Sequence, residues 1–216
     1  MSSAWVDDRP LVAVLDYGIG NLRSAQKALE HVGADARLTA DHGLIADAAA
    51  VVLPGVGAFG ACVAALQASG LHDTAIEAAG DHRPFLGICV GMQLLFEGSD
   101  EAPAARGLGV FPGRTRLLPA GVKRPQMQWN RLEVRRETPL LTAEENGAWM
   151  YFVHSYAAET EAEFVTATCD YGGDMCAMVE RPGCWATQFH PEKSARSGLA
   201  MLHSFVGLAV IASGQR

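Results

Sequence analysis

The sequence predicts an α/β fold: an open, mostly parallel sheet with helices on both faces, continued by a mixed, partly antiparallel second half. Three observations carry that expectation. Over the first part of the chain, short apolar runs alternate with segments of helical period, the pattern of successive βα units. Glycine-bearing turns follow the first, third and fourth of these runs directly. Past Gly107 the character changes to short β-rich segments, some separated by hairpin signals such as Tyr171-Gly172-Gly173-Asp174.

Taken in order, Leu11–Leu15 reads as a buried strand, followed by a turn at Gly18 and Gly20 and a helix from Asn21 to about Val32. In that helix Leu22, Ala25, Leu29 and Val32 recur at helical spacing. Strands follow at Asp35–Leu38 and Ala50–Leu53, the latter ending on Pro54. Helices over Gly60–Ser69 and Leu71–Ala79 lead to a fourth strand, Phe85–Ile88. The second half offers strands at Gly109–Leu118, Arg131–Val134, Trp149–Val153, Phe164–Cys169, Met175–Val179 and Cys184–Phe189. A closing helix over Ser197–Ile211 carries Leu199, Leu202, Phe205, Val206 and Ala209 on one stripe. No linker or low-complexity stretch divides the chain, so residues 1–10 read as a flexible tail and 11–216 as a single domain.

Composition narrows the function classes. A net charge of −7 and the lack of a basic run argue against a nucleic-acid or anionic-membrane partner. The apolar run Phe205–Ala212 is too short to span a bilayer, and the first ten residues lack a signal-peptide core. The five cysteines are odd in number and scattered with no C-x-x-C pair, which points away from a disulfide framework or a metal site and toward a reducing cytoplasm.

Chemistry is announced at Gly87-Ile88-Cys89-Val90-Gly91, the sulfur counterpart of the G-x-S-x-G nucleophile elbow. Such a turn presents the sulfur at the start of a helix, where N–H groups and the helix dipole favour an anion. An ordinary thiol with pKa near 8.5 is only about 3% thiolate at pH 7, and a shift to roughly 6 would make it about 90%. A nucleophilic cysteine also needs a base and oxyanion donors. His190 closes the strand that ends Trp185-Ala186-Thr187-Gln188-Phe189, and Glu192 lies two residues on, on the same side of an extended chain. Cys89, His190 and Glu192 thus form a candidate triad.

The loop Pro54-Gly55-Val56-Gly57-Ala58-Phe59-Gly60 matches G-x-G-x-x-G, but it follows the third strand and lacks the acid a dinucleotide site needs on the next strand. Its glycines suit instead a backbone that turns N–H groups of Val56 and Gly57 toward an oxyanion, with the Val90 N–H as a further donor. His154-Ser155-Tyr156 reads either as a polar pocket wall or as an ordinary turn, and Trp129-Asn130 beside Met127 either as a partner-facing patch or as core. Cys62, Cys169, Cys176 and Cys184 sit among apolar residues as buried thiols, and His31, His42, His72, His82 and His203 read as solvated or structural.

With the elbow, the P-G-V-G loop and His190-Pro191-Glu192 in place, the chain resembles the class I (triad) glutamine amidotransferases. Asp16-Tyr17-Gly18-Ile19-Gly20-Asn21, Cys89-Val90-Gly91-Met92-Gln93, Tyr151-Phe152-Val153-His154-Ser155-Tyr156 and Gln188-Phe189-His190-Pro191-Glu192-Lys193-Ser194 look like the glutaminase-subunit branch of imidazole glycerol phosphate synthases. Anthranilate-type relatives typically carry P-G-P-G and C-x-G-H-Q, and pyridoxal-phosphate-synthase relatives a G-G-E-S loop. The resemblance implies the three-layer fold of that family and hydrolysis of glutamine through a Cys89 thioester, with no cofactor. It implies ammonia delivery to a (β/α)8-barrel cyclase subunit in a heterodimer of histidine biosynthesis. By the same resemblance Gly57, Gln93, Glu101, Ser155 and Tyr156 would hold glutamine, and Asn21, Trp129 and Lys193 would face the partner. The chain departs from the branch at Pro125-Gln126-Met127-Gln128-Trp129-Asn130, where Pro-His-Met-Gly-Trp-Asn is usual. Another amidotransferase pathway, a catalytically silent partner-binding subunit, and a cysteine hydrolase of similar fold are the alternatives.

Overall fold

A computed structural model describes residues 9–214. The first half follows the expected alternation: β1 (Leu11–Leu15), α1 (Leu22–His31), β2 (Asp35–Thr39), α2 (His42–Asp47), β3 (Ala50–Gly55), α3 (Phe59–Ala68), α4 (Leu71–Gly80), β4 (Phe85–Cys89) and α5 (Val90–Leu94). Strands β1, β3 and β4 are almost entirely buried, which is why they read as unbroken apolar runs rather than as alternation. The short helix α2 has no counterpart in the sequence reading. Its start is set by Asp41, whose carboxylate accepts a hydrogen bond from Leu44 N at 2.8 Å.

The second half comprises β5 (Gly98–Ser99), β6 (Arg114–Leu117), β7 (Gln126–Arg131), β8 (Glu133–Val134), β9 (Trp149–His154), β10 (Tyr156–Glu159), β11 (Val165–Asp170), β12 (Asp174–Arg181), β13 (Cys184–Thr187) and α6 (Ala195–Ser213). The strand expected over Gly109–Leu118 shrinks to β6, because Gly113 sits at φ +94° and breaks the extended run. The segment expected over Arg131–Val134 divides between β7 and β8, with Leu132 buried between them. The last strand stops at Thr187, short of Phe189.

Eight strands form one sheet in the order β2-β1-β3-β4-β13-β12-β11-β8. The pairs from β2 to β13 are parallel and those from β13 outward to β8 antiparallel. β13 therefore inserts next to β4 after the whole second half has been traversed, which brings the His190 region beside the Cys89 elbow. Helices flank the sheet in two groups, α1 with α6, and α3 with α4 and α5. Two small sheets, β10-β6-β5 and the β7-β9 ribbon, stand at the C-terminal side of β4 and β13.

The closing helix is longer than the apolar run alone suggests, and by length and composition it could cross a membrane. Here Met201, Leu202, Phe205, Val206 and Ala209 are buried in the core, so its apolar face is already used. Of the tail expected over residues 1–10, positions 1–8 lie outside the described residues, while the Pro10 carbonyl accepts a hydrogen bond from Asp35 N at 3.0 Å.

Candidate active site

The elbow is held by close approach. Cys89 ends β4 with φ 55°, ψ −111°, a left-handed backbone that a non-glycine residue adopts only where its surroundings impose it. The next turn packs directly on the end of β3: a Cβ at Gly91 would overlap the carbonyl of Leu53, so only glycine fits. Parallel pairing sets Gly55 opposite Cys89 and brings the P-G-V-G loop beside the sulfur. Gly57 takes φ +90°, and the Val56 carbonyl accepts a hydrogen bond from the Cys62 thiol of α3 at 3.3 Å. The carbonyl and the following N–H of a trans peptide point in opposite directions, so the Gly57 N–H faces away from α3. Behind the loop the buried Tyr17 hydroxyl donates to the Pro54 carbonyl at 2.8 Å, and burial pushes its pKa up.

His190 follows β13, its N–H donating to the Tyr151 carbonyl at 3.0 Å and its carbonyl accepting from Ser194 Oγ at 2.6 Å. Glu192 reaches back to it from a single 3-10 turn, Pro191–Lys193, rather than from an extended strand. The imidazole Nδ1 and Glu192 Oε1 are 2.8 Å apart, with side chains only 2% and 4% exposed. Nδ1 so engaged leaves Nε2 for Cys89, with which His190 lines one cavity. Burial works against charge on His190, but the neighbouring Cys89 and Glu192 outweigh it and push the imidazole pKa up to about 9.

The cavity encloses about 270 Å³, at the small end for a small-molecule site. It brings together Cys89 and His190, the loop residues Val56 and Gly57, Val90, and the residues expected to hold glutamine, Gln93, Glu101, Ser155 and Tyr156. Glu101 is the one carboxylate on its described walls, and one of its oxygens accepts from Phe59 N at 2.7 Å. Gln93 Nε2 lies 3.0 Å from both the Tyr156 carbonyl and Gln188 Oε1.

His154-Ser155-Tyr156, ambiguous in sequence, proves to be a wall of this cavity. His154 Nδ1 lies 2.8 Å from the Tyr156 carbonyl, and burial lowers the pKa of this imidazole to about 4. Gln188 is legible in the motif but carries no role there; it is fully buried, with Nε2 3.8 Å from the Cys89 sulfur. Among the expected partner-facing residues, Asn21 caps α1 at the surface, Trp129 is 44% exposed on β7, and Lys193 is exposed in the turn after His190. Trp129 stacks edge-on to Tyr151, whose ring in turn lies 6.4 Å from His190. Of the two departures in the 125–130 segment, Gln126 is buried against Cys169 and Gln128 is exposed.

Comparison with known proteins places this arrangement. Residues 13–207 match the family described as Glutamine amidotransferase class-I. The chain is 46% identical over 196 residues to "Imidazole glycerol phosphate synthase subunit HisH" of Methanothermobacter thermautotrophicus, covering 91% of this chain and 98% of that one. It is likewise 46% identical over 202 residues to the protein of that name from Geobacter metallireducens, covering 90% and 96%. Among solved structures, PurLQS from Thermotoga maritima superposes with TM-score 0.72 at 19% identity, covering 96% of this chain and all of that one (100%), a likeness of fold. With a matching domain over nearly its whole length and relatives at this identity, the chain belongs to the class-I glutamine amidotransferase family, on the branch of the imidazole glycerol phosphate synthase glutaminase.

Proposed function

We infer that this chain is the glutaminase subunit of an imidazole glycerol phosphate synthase, and that Cys89, His190 and Glu192 are its catalytic triad. The reading is carried by one observation: Cys89 and His190 line one cavity, and Nδ1 of that imidazole is held by Glu192. Cys89 attacks the side-chain amide carbon of glutamine, forming a C–S bond, while Val56, Gly57 and Val90 supply N–H groups to the oxyanion. The imidazolium of His190 gives its Nε2 proton to the leaving nitrogen as the C–N bond breaks, releasing ammonia. Neutral His190 then takes a proton from water, which adds to the thioester. Collapse expels the Cys89 thiolate and frees glutamate.

Gly57, Gln93, Glu101, Ser155 and Tyr156 hold the amino-acid end of glutamine, the Glu101 carboxylate suiting its α-ammonium. Ammonia passes to a (β/α)8-barrel cyclase, where it helps convert a phosphoribulosyl-formimino carboxamide ribonucleotide to imidazole glycerol phosphate and aminoimidazole carboxamide ribonucleotide in histidine biosynthesis. The face bearing Asn21, Trp129 and Lys193 meets that partner, and the work is done in the cytoplasm, where unpaired thiols stay reduced. Residues 11–216 act as one domain.

The test is to mix the chain with a candidate barrel cyclase and follow glutamate release with and without the nucleotide. We expect low turnover by the chain alone and strong stimulation in the complex. Absence of stimulated turnover, or equal turnover by Cys89→Ala, overturns the reading.

A further inference from the structure

Behind the nucleophile lies a chain of buried amides that ends on the sulfur. The Tyr156 carbonyl can only accept, so the Gln93 group 3.0 Å from it is the NH2. That same NH2 lies 3.0 Å from Gln188, whose facing atom must therefore be its carbonyl oxygen. The other end of the Gln188 amide is then an N–H donor, and it lies 3.8 Å from Cys89 Sγ, within reach of a hydrogen bond to sulfur. The direction of every bond is thus dictated by one backbone carbonyl, which also takes a hydrogen bond from His154. Gln93 and Gln188 are 3% and 0% exposed, so water does not compete for these bonds.

We propose that Gln188 is a thiolate-stabilising donor to Cys89, aimed by Gln93 and the Tyr156 carbonyl, and so a further participant in glutamine hydrolysis. This rests on Cys89 being the nucleophile. An N–H donor stabilises the negative charge the sulfur carries as it attacks and as it is expelled. The donor is fixed before substrate arrives. Its loss therefore slows the attack.

The experiment follows alkylation of the intact chain by iodoacetamide against pH, with Cys89→Ala as the blank. Cys169, Cys176 and Cys184 are buried, with thiol pKa values pushed up to about 11, 12 and 12, and stay silent in the neutral range. In Gln188→Met alkylation of Cys89 at neutral pH should slow about tenfold. Glutamine turnover with the partner should drop in kcat by a similar factor, with KM within about twofold. A second readout needs no variant of Gln188: its side-chain NH2 resonance in the labelled wild type should change over the pH range in which alkylation accelerates, and should not in Cys89→Ala. An unchanged alkylation rate in folded Gln188→Met, or an amide resonance indifferent to pH, overturns the proposal. If Cys89→Ala itself turns over glutamine, the nucleophile assignment falls and the donor role falls with it. If Cys89→Ala is silent while the alkylation rate of Gln188→Met is unchanged, only the donor role falls.

Discussion

The two walls of the cavity rest on different foundations. One, with Cys89, Gln93 and His190, grows from β4, α5 and the end of β13 at the centre of the large sheet, and its functional side chains are buried. The other, with Pro125 and Val153, comes from the two-stranded β7-β9 ribbon. The inner face of that ribbon buries Met150, Phe152 and His154, while its outer face leaves Met127 61%, Trp129 44% and Trp149 54% exposed. Apolar side chains that large, side by side and uncovered, are what a protein–protein contact uses, and under the proposed function the cyclase covers them. The sheet wall holds chemistry arranged by the core. The ribbon wall holds the surface that the proposed function gives to the partner.

The largest effect should come from the sheet wall. Cys89→Ala removes the nucleophile, and partner-stimulated turnover should fall roughly 10⁴-fold or more while affinity for the cyclase is retained. Loss of both would show that the two walls are not separable. Glu192→Ala should come next, with kcat down about 10²-fold, because a buried imidazole loses the carboxylate that fixes its tautomer. Since Glu192 also raises the His190 pKa, the apparent pKa of the His190-dependent step should move down from about 9. A kcat loss with an unmoved pH profile would reduce Glu192 to a packing role.

The ribbon wall predicts the opposite pattern. Trp129→Ala should weaken the complex by about 2 kcal/mol, roughly 30-fold in Kd, as loss of a large interface aromatic does. Alkylation of Cys89 in the isolated chain should not change. If it did, the Trp129–Tyr151–His190 ring contacts would carry more than proximity.

The same division explains what is legible in the sequence. Buried parallel strands such as Leu11–Leu15 and Phe85–Cys89 declare themselves because both faces are covered and every position is apolar or small. The elbow is equally plain, since Gly91 answers to a steric requirement at one atom of Leu53. The ribbon and its surroundings are harder. Gln126–Arg131 mixes polar and apolar residues with no clean alternation of burial, so β7 goes unread from sequence except for Arg131, where the strand expected over Arg131–Val134 begins. Tyr156–Glu159 is hidden because its partner strand Arg114–Leu117 lies far off in sequence, and nothing local fixes the pairing. Gln188 takes no role from sequence, because its role depends on an amide orientation set by Tyr156, which three-dimensional contact alone supplies.

The most discriminating test concerns the two cavity histidines, whose pKa values are pushed in opposite directions. His154 is held neutral, with its pKa lowered to about 4, by burial and by the charge on His190. The unfolded chain, with an ordinary value near 6.5, then binds more protons between about pH 6.5 and 4. Stability should fall as pH drops through that window, by up to roughly 3 kcal/mol. His190 is raised to about 9 by Cys89 and Glu192 against the pull of burial, so the folded chain binds more protons between about 6.5 and 9. Its contribution is fully present below 6.5 and is lost as pH rises through 9. Thermal melts of the isolated chain should therefore peak near pH 6.5. Replacing His154 with Asn should flatten the acid limb and leave the alkaline limb intact, and Glu192→Ala should do the reverse. If one substitution moved both limbs, the two imidazoles would be titrating as a single unit across the cavity, and the separation between its walls would fail at the point where they come closest.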